Sequence, residues 1–330
     1  MIICKTRKSR ARSGALKTLT IVVLGSRGLA GSAICRELES TGQSFIAATR
    51  EMIDVTNPNQ VDAFFEKTRP SLLFMAAAKV GGLMANFRNP VQFLSENILA
   101  QTYVINAAHK FDVKRLVFLG SSCIYPRDAS QPISEASLLT GPLEPTNEAY
   151  AIAKISGVKL IQSYRRQYGR SWISVMPTNL FGVNDNFDLE NSHALAAIMR
   201  KLHDAKITGT NSVKLWGTGS PRREFMFSDH FARALLFVAE KYDEDEPINI
   251  GTGEDITIRE LAHTIKTIVG YEGEIFWNDS VPDGTPRKQL NIRKLIDLGW
   301  ETKGDFVSGL TETYKWFREN YAKSRLQVPI

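Results

Sequence analysis

The sequence predicts an α/β fold, a doubly wound parallel sheet that carries a smaller α/β lobe. Three observations predict it. A short β-branched run, residues 20–24, ends in a glycine-rich turn and continues into helical spacing. Two further apolar runs, residues 72–77 and 115–122, end in small or polar residues, giving a strand–helix rhythm across the first half. After Gly182 that rhythm loosens into a polar, turn-rich stretch over residues 184–191.

Composition narrows the class. The chain has 330 residues, enough for one large α/β domain with an added lobe or for two domains. Its apolar runs fall short of the roughly 18–20 residues that a membrane span needs. The formal charge of +6 is concentrated in residues 1–17, where Lys5, Arg7, Lys8, Arg10, Arg12 and Lys17 stand without an acid. Removing those six leaves 35 of the 41 basic residues against 35 acids. The body is therefore neutral, and a nucleic-acid reading would rest on the tail alone. Residues 1–17 read as a disordered leader, with organelle targeting as the alternative; they lack the apolar core of a secretory signal. Cys4, Cys35 and Cys123 have no C-x-x-C or metal spacing, which predicts no metal site and a reducing compartment.

The first strand runs into GSRGLAG, residues 25–31, and a helix over residues 32–39. Glycine at such a turn lets backbone approach a pyrophosphate, which then rests on unpaired N–H groups at the helix N-terminus. This predicts a Rossmann-type dinucleotide site at Gly25, Gly28 and Gly31. The second strand, about residues 44–48, ends in Thr49 and Arg50. NAD sites place an acid there for the ribose 2′-hydroxyl. Arg50, joined by Arg27 from the turn, suits a 2′-phosphate instead and favours NADP(H). Glu51 beside them opposes that preference.

Next, residues 72–77 read as a buried strand followed by small residues that admit a cofactor. Residues 115–119 form another strand, ending in Ser121 and Ser122. Tyr150 and Lys154 lie four apart at the start of a helix that runs to about Tyr168, so they share a face. A nearby ammonium favours the phenolate and predicts a lowered Tyr150 pKa. Such a tyrosine can pass a proton to a carbonyl oxygen as hydride reaches its carbon.

The motifs SSCIYP (121–126), EPTNEAYAIAK (144–154), MPTNLFG (176–182), AAAKVGG (76–82), WGTG (216–219), REF (223–225) and PDGTPRK (282–288) resemble the GDP-L-fucose synthases. These are extended short-chain dehydrogenase/reductases acting on GDP-4-keto-6-deoxy-D-mannose, and the match spans roughly residues 18–317. The resemblance implies that Ser121 binds the keto oxygen and Tyr150 protonates O4. It implies that Lys154 holds the nicotinamide ribose, and that Cys123 and His193 are the acid/base pair of epimerisation. It further places Leu29, Ala77, Pro177, Asn179, Leu180 and His193, with Gly25, Arg27, Gly28, Gly31, Arg50, Tyr150 and Lys154, at NADP(H). Lys201, Trp216, Arg223 and Lys288 fall at the GDP moiety. Some relatives have arginine where Lys201 stands, Asp229-His230 replaces a usual pair of acids, and Phe181-Gly-Val stands for Tyr-Gly-Pro.

The chemistry is consistent with that pair. Protons on C3 and C5 of a 4-keto sugar are acidic, a Ser/Tyr pair can hold the resulting enolate, and reprotonation on the opposite face needs a second group. By the same resemblance, residues 18–183 and 224–251 form the cofactor domain and residues 184–223 and 252–330 the sugar-nucleotide lobe. A cytoplasmic homodimer formed through the Tyr150 helix and its neighbour is expected, with no nucleic-acid or membrane partner. Three rivals remain. A dehydratase on the same fold would need carboxylates where Ser122 and Cys123 stand. A simple 4-epimerase would not need Cys123 and His193. A non-catalytic NADP-sensing regulator typically loses the tyrosine or the lysine.

Overall fold

Parallel strands buried on both faces need near-continuous apolar runs, and the four residues of β1 (Ile21–Leu24) are all buried. The computed structural model describes residues 20–280, 283–301 and 304–324. The leader reading for residues 1–17 lies outside them. From β1 the chain forms α1 (Leu29–Ser40), β2 (Phe45–Ala48), α2 (Pro58–Thr68) and β3 (Leu72–Met75). It continues through α3 (Leu83–Arg88), α4 (Pro90–Lys110), β4 (Arg115–Leu119), α5 (Glu148–Tyr168) and β5 (Ile173–Pro177). Asn57 starts α2 by accepting from the amides of Asn59 and Gln60, with Pro58 at the first helical position.

Past β5 come β6 (Asn179–Phe181), α6 (Ala194–Thr208), β7 (Ser212–Trp216), β8 (Arg222–Arg223) and β9 (Phe225–Phe227). After α7 (Ser228–Lys241), the strand β10 (Ile248–Ile250) returns to pair with β5. The main sheet is six parallel strands in the order β10-β5-β4-β3-β1-β2, the doubly wound arrangement expected from the sequence. Its order reverses between β1 and β3, which opens the crevice where ligands bind in such sheets. On one face of the sheet α1 packs against α7, and on the other α4 packs against both α2 and α5.

The remaining elements are β11 (Ile256–Thr257), α8 (Ile258–Val269), β12 (Glu274–Asn278), β13 (Arg287–Lys288), α9 (Arg293–Asp297) and α10 (Phe306–Ser324). Thr257 and Glu260 form a reciprocal capping box at the start of α8. Phe181, Phe187, Leu202, Leu261, Leu310 and Phe317 belong to a second apolar core, which α6, α8 and α10 cover. The strand β8 lies between β11 and β13, in a small sheet separate from the main one.

Candidate active site

A cleft of about 1340 Å³ runs from the glycine turn to β13. At one end the backbone is drawn tight. Gly25 has φ +78°, and a Cβ there would lie 2.7 Å from the Ala77 nitrogen; at Gly31 it would lie 2.1 Å from the Gly25 carbonyl oxygen. No side chain caps α1, whose N-cap is Gly28, so its first amides are not occupied by a capping group. This cradle suits a pyrophosphate, and the sequence that forms it is local: strand, glycines, helix. Ser26 ties the turn to the end of β2 by donating to the Ala48 carbonyl at 3.0 Å.

Arg27, Leu29, Arg50 and Ala77 all line this end. Arg27 forms an exposed ion pair with Glu51, so the acid beside Arg50 engages the very arginine expected to meet a 2′-phosphate. Pro177, Asn179 and Leu180 line the opposite wall, where Asn179 Nδ2 donates to the Glu224 carbonyl at 2.8 Å.

At the centre, Ser121 stands just beyond β4. Its Oγ accepts from the Cys123 amide at 3.2 Å and starts the single turn Ser122–Ile124. Tyr150 and Lys154 face the cleft from α5, as their spacing predicts. Lys154 Nζ donates to the Leu119 carbonyl at 2.8 Å and lies 5.8 Å from the Tyr150 ring centre.

The electrostatics correct one expectation. Burial raises the Tyr150 pKa, a negative charge on Cys123 would raise it further, and only the Ser121 hydroxyl opposes them. Lys154 does not lower it. Burial instead brings Lys154 down to about 8, and one of its three N–H groups is given to a backbone carbonyl. Tyr150 is therefore a protonated phenol at neutral pH, ready to give a proton to a carbonyl oxygen.

Cys123 lies against Ala85, Phe93 and Tyr150 in a small apolar cluster. Its sulfur accepts from Asn147 Nδ2 and from Lys288 Nζ, each at 3.4 Å. Burial pushes the thiol up, but the Lys288 charge, hydrogen bonds from Ser121 and Lys288, and the Arg223 charge bring it below its ordinary value. His193 is the N-cap of α6 and is exposed on the cleft wall. Enclosure within this deep cleft and then the Lys288 charge hold its pKa below the usual range.

Beyond the centre, Lys201 Nζ lies 4.8 Å from the ring centre of Trp216, which is 56% exposed. Arg223 and Lys288 are direct partners in the parallel pairing of β8 with β13. All four residues expected at the GDP moiety thus line the cleft. Sequence reasoning missed Glu224 and Asn147. Glu224 is completely buried, and its carboxylate accepts from the amides of Thr252 (2.5 Å), Gly253 (2.9 Å) and Leu290 (2.8 Å). It lies within the quoted REF motif, but its partners are far along the chain. Asn147 lies within the quoted EPTNEAYAIAK motif. Among the described residues no group of three or more His, Cys, Asp or Glu is placed to hold a metal ion. No helix among them is long and apolar enough to cross a membrane.

The NAD dependent epimerase/dehydratase family model matches residues 21–251. GDP-L-fucose synthase 1 of Arabidopsis thaliana is 49% identical over 319 residues, covering 96% of this chain and 99% of its own. GDP-L-fucose synthase of Escherichia coli K12 is 47% identical, with 92% and 98% covered. The NADP-bound crystal structure of a GDP-L-fucose synthetase from Naegleria fowleri superposes with a TM-score of 0.87 at 30% identity, covering 93% of this chain and 96% of that one.

Proposed function

The chain belongs to the NAD dependent epimerase/dehydratase family, and from that premise we propose that it is an NADP-dependent enzyme carrying out the GDP-L-fucose synthase reaction. The substrate is GDP-4-keto-6-deoxy-D-mannose, epimerised at C3 and C5 and then reduced at C4. One observation carries this reading: a serine–tyrosine pair and a thiol–imidazole pair line the same cleft that the glycine turn opens.

Each group has work in that sequence. Ser121 and Tyr150 hold the keto oxygen, so charge developing on O4 as C3–H or C5–H is lost meets two hydroxyl donors. Cys123 and His193 exchange protons with those carbons. The raised pKa of Tyr150 keeps its proton in place until O4 becomes an alkoxide, to which the phenol donates it. Bound NADPH supplies the hydride for C4. Gly25, Gly28, Leu29, Gly31, Ala77, Pro177, Asn179, Leu180 and His193 line its path, with Arg27 and Arg50 at the 2′-phosphate and Lys154 at the nicotinamide ribose. Lys201, Arg223 and Lys288 bring cations to the diphosphate, and Trp216 brings a ring to the sugar or base.

The cofactor domain is assigned to residues 18–183 and 224–251, and the sugar-nucleotide lobe to residues 184–223 and 252–330. We assign the enzyme to the cytoplasm as a homodimer joined through α4 and α5. Apolar side chains left exposed on those helices support the dimer: Val91 is 71%, Leu99 41% and Ile152 44% exposed.

The test is turnover of GDP-4-keto-6-deoxy-D-mannose with NADPH in deuterated water, followed by NMR of the product. Oxidation of NADPH with deuterium at both C3 and C5 is expected. Oxidation without incorporation would leave a plain 4-ketoreductase and remove the roles given to Cys123 and His193.

A further inference from the structure

Lys288 has a second neighbour besides the expected diphosphate. Its strand β13 is fixed alongside β8, and two residues later the Leu290 amide is anchored on the buried Glu224 carboxylate. This frame brings the ammonium to 3.4 Å from the Cys123 sulfur. Asn147 approaches the same sulfur from the start of α5, also at 3.4 Å, and its own Oδ1 is buried without a protein partner. Two N–H donors, one of them charged, therefore converge on one sulfur.

We propose that Lys288, assisted by Asn147, is a positioning residue that holds Cys123 as a thiolate, making the sulfur the base that takes protons from the sugar. The proposal deepens the reaction assigned above and rests on it for the identity of the sugar. A thiolate attacks a C–H proton where a thiol does not, and an adjacent cation is what stabilises the anion near neutral pH. The proton passes to sulfur. The C–H electron pair stays with the sugar as an enolate whose charge lies on O4, between Ser121 and Tyr150. Carbon is then reprotonated from the imidazolium of His193, and thiol and imidazole re-equilibrate with water in the cleft.

The surrounding charges favour the thiolate. Cys123 faces the cations of Lys288 and Arg223 and the neutral phenol of Tyr150. The nearby acids Glu144 and Asp283 are felt by Arg223 through space, while their oxygens accept from Thr146 and Thr285 and from Thr218 respectively. His193 also feels Lys288, which lowers its pKa as it lowers that of the thiol. One ammonium thus moves both members of the pair in the same direction. Removing it must shift both limbs of a bell-shaped pH profile to higher pH together.

The first test needs no sugar. Alkylation of Cys123 by iodoacetamide is followed across neutral pH in the full chain, with C123S as the blank for Cys4 and Cys35. Lys288→Met should slow alkylation about tenfold at neutral pH, the scale of removing one adjacent charge, and move its midpoint upward. Lys288→Arg, which keeps the charge, should retain most of the wild-type rate. NADPH binding checks that each variant is folded, and Lys288→Gln carries the same test if the Met variant is not. The second test follows deuterium wash-in at C3 and C5, where both pH limbs should move upward in Lys288→Met. Wild-type alkylation rates in Lys288→Met, with unmoved limbs and a raised KM for the sugar nucleotide, would overturn the proposal and leave Lys288 a ligand contact only. Absence of wash-in by the wild-type enzyme would instead sink the assigned reaction, while the alkylation series would still decide the state of the thiol.

Discussion

Replacing Glu224 with leucine should be among the most damaging single changes outside the reacting groups. The side chain is completely buried, and its two oxygens accept three backbone amides, from Thr252, Gly253 and Leu290. Leucine fills a similar volume but accepts nothing, which leaves those amides without partners. A buried donor left unsatisfied costs about 1–3 kcal/mol. Even with partial relaxation, the loss for three should reach about 3–6 kcal/mol, a large share of a typical domain's total stability. Glu224→Gln keeps one acceptor and turns a donor toward the second site, so it should lose about 1–3 kcal/mol. Urea unfolding followed by circular dichroism would measure both, with the midpoint reporting stability and the slope checking that unfolding is cooperative. The leucine variant should also bind the sugar nucleotide poorly, because the Leu290 amide anchors the strand that carries Lys288. A Glu224→Leu midpoint indistinguishable from wild type would refute the reasoning, since it would mean that the three amides find water or other acceptors at no cost.

Four further outcomes are expected. A Cβ at Gly157 would lie 2.4 Å from Phe118 and 2.7 Å from the Gln101 side chain, so Gly157→Ala should cost about 1–3 kcal/mol by overpacking, despite alanine's better helix propensity; a thermal midpoint at or above wild type would contradict this. Burial raises the Asp185 pKa to about 7 from 3.8, so its contribution is fully present below the unfolded value and is lost as pH rises through about 7. Asp185→Asn should remove a penalty of up to roughly 4 kcal/mol above neutrality, and urea midpoints that stay parallel between variant and wild type from acid to alkaline pH would argue against it. Freeing Arg27 by Glu51→Gln should tighten NADPH a few-fold, as befits an exposed pair, without helping NADH; fluorescence titration with both cofactors decides. Leu99→Glu with Ile152→Glu should convert the dimer to monomers in sedimentation velocity, and an unchanged sedimentation coefficient would place any interface elsewhere.

The sheet and the cofactor turn were legible because their determinants are local. Residues 20–31 contain the strand, the glycines and the helix start in one continuous stretch, and the four-residue spacing of Tyr150 and Lys154 sets their shared face. What could not be read from the sequence depends on contacts between distant segments. The Tyr150 pKa follows from enclosure beside Cys123, and Lys154 is turned onto the Leu119 carbonyl, 35 residues away in the chain. The grip of Lys288 on Cys123 joins residues 165 apart. Glu224 stands between an arginine and a phenylalanine with nothing local to mark it, and only the fold reveals its three amides. Even the ion pair of Arg27 with Glu51 turns on how two separate loops meet, though both residues had already been singled out.

The pairing of β6 with β9 has a consequence for how such a protein diversifies. Asn179–Phe181 leads the chain out toward residues 184–223, and Phe225–Phe227 brings it back alongside, hydrogen-bonded in parallel register. Departure and return therefore occupy adjacent positions on the scaffold, like the two ends of a cassette. A replacement segment of another length would have the same two fixed attachment points, and the six strands would not have to rearrange to accept it. The part of the lobe between residues 184 and 223 can thus be rewritten in one stretch of sequence while the strands on either side keep their places.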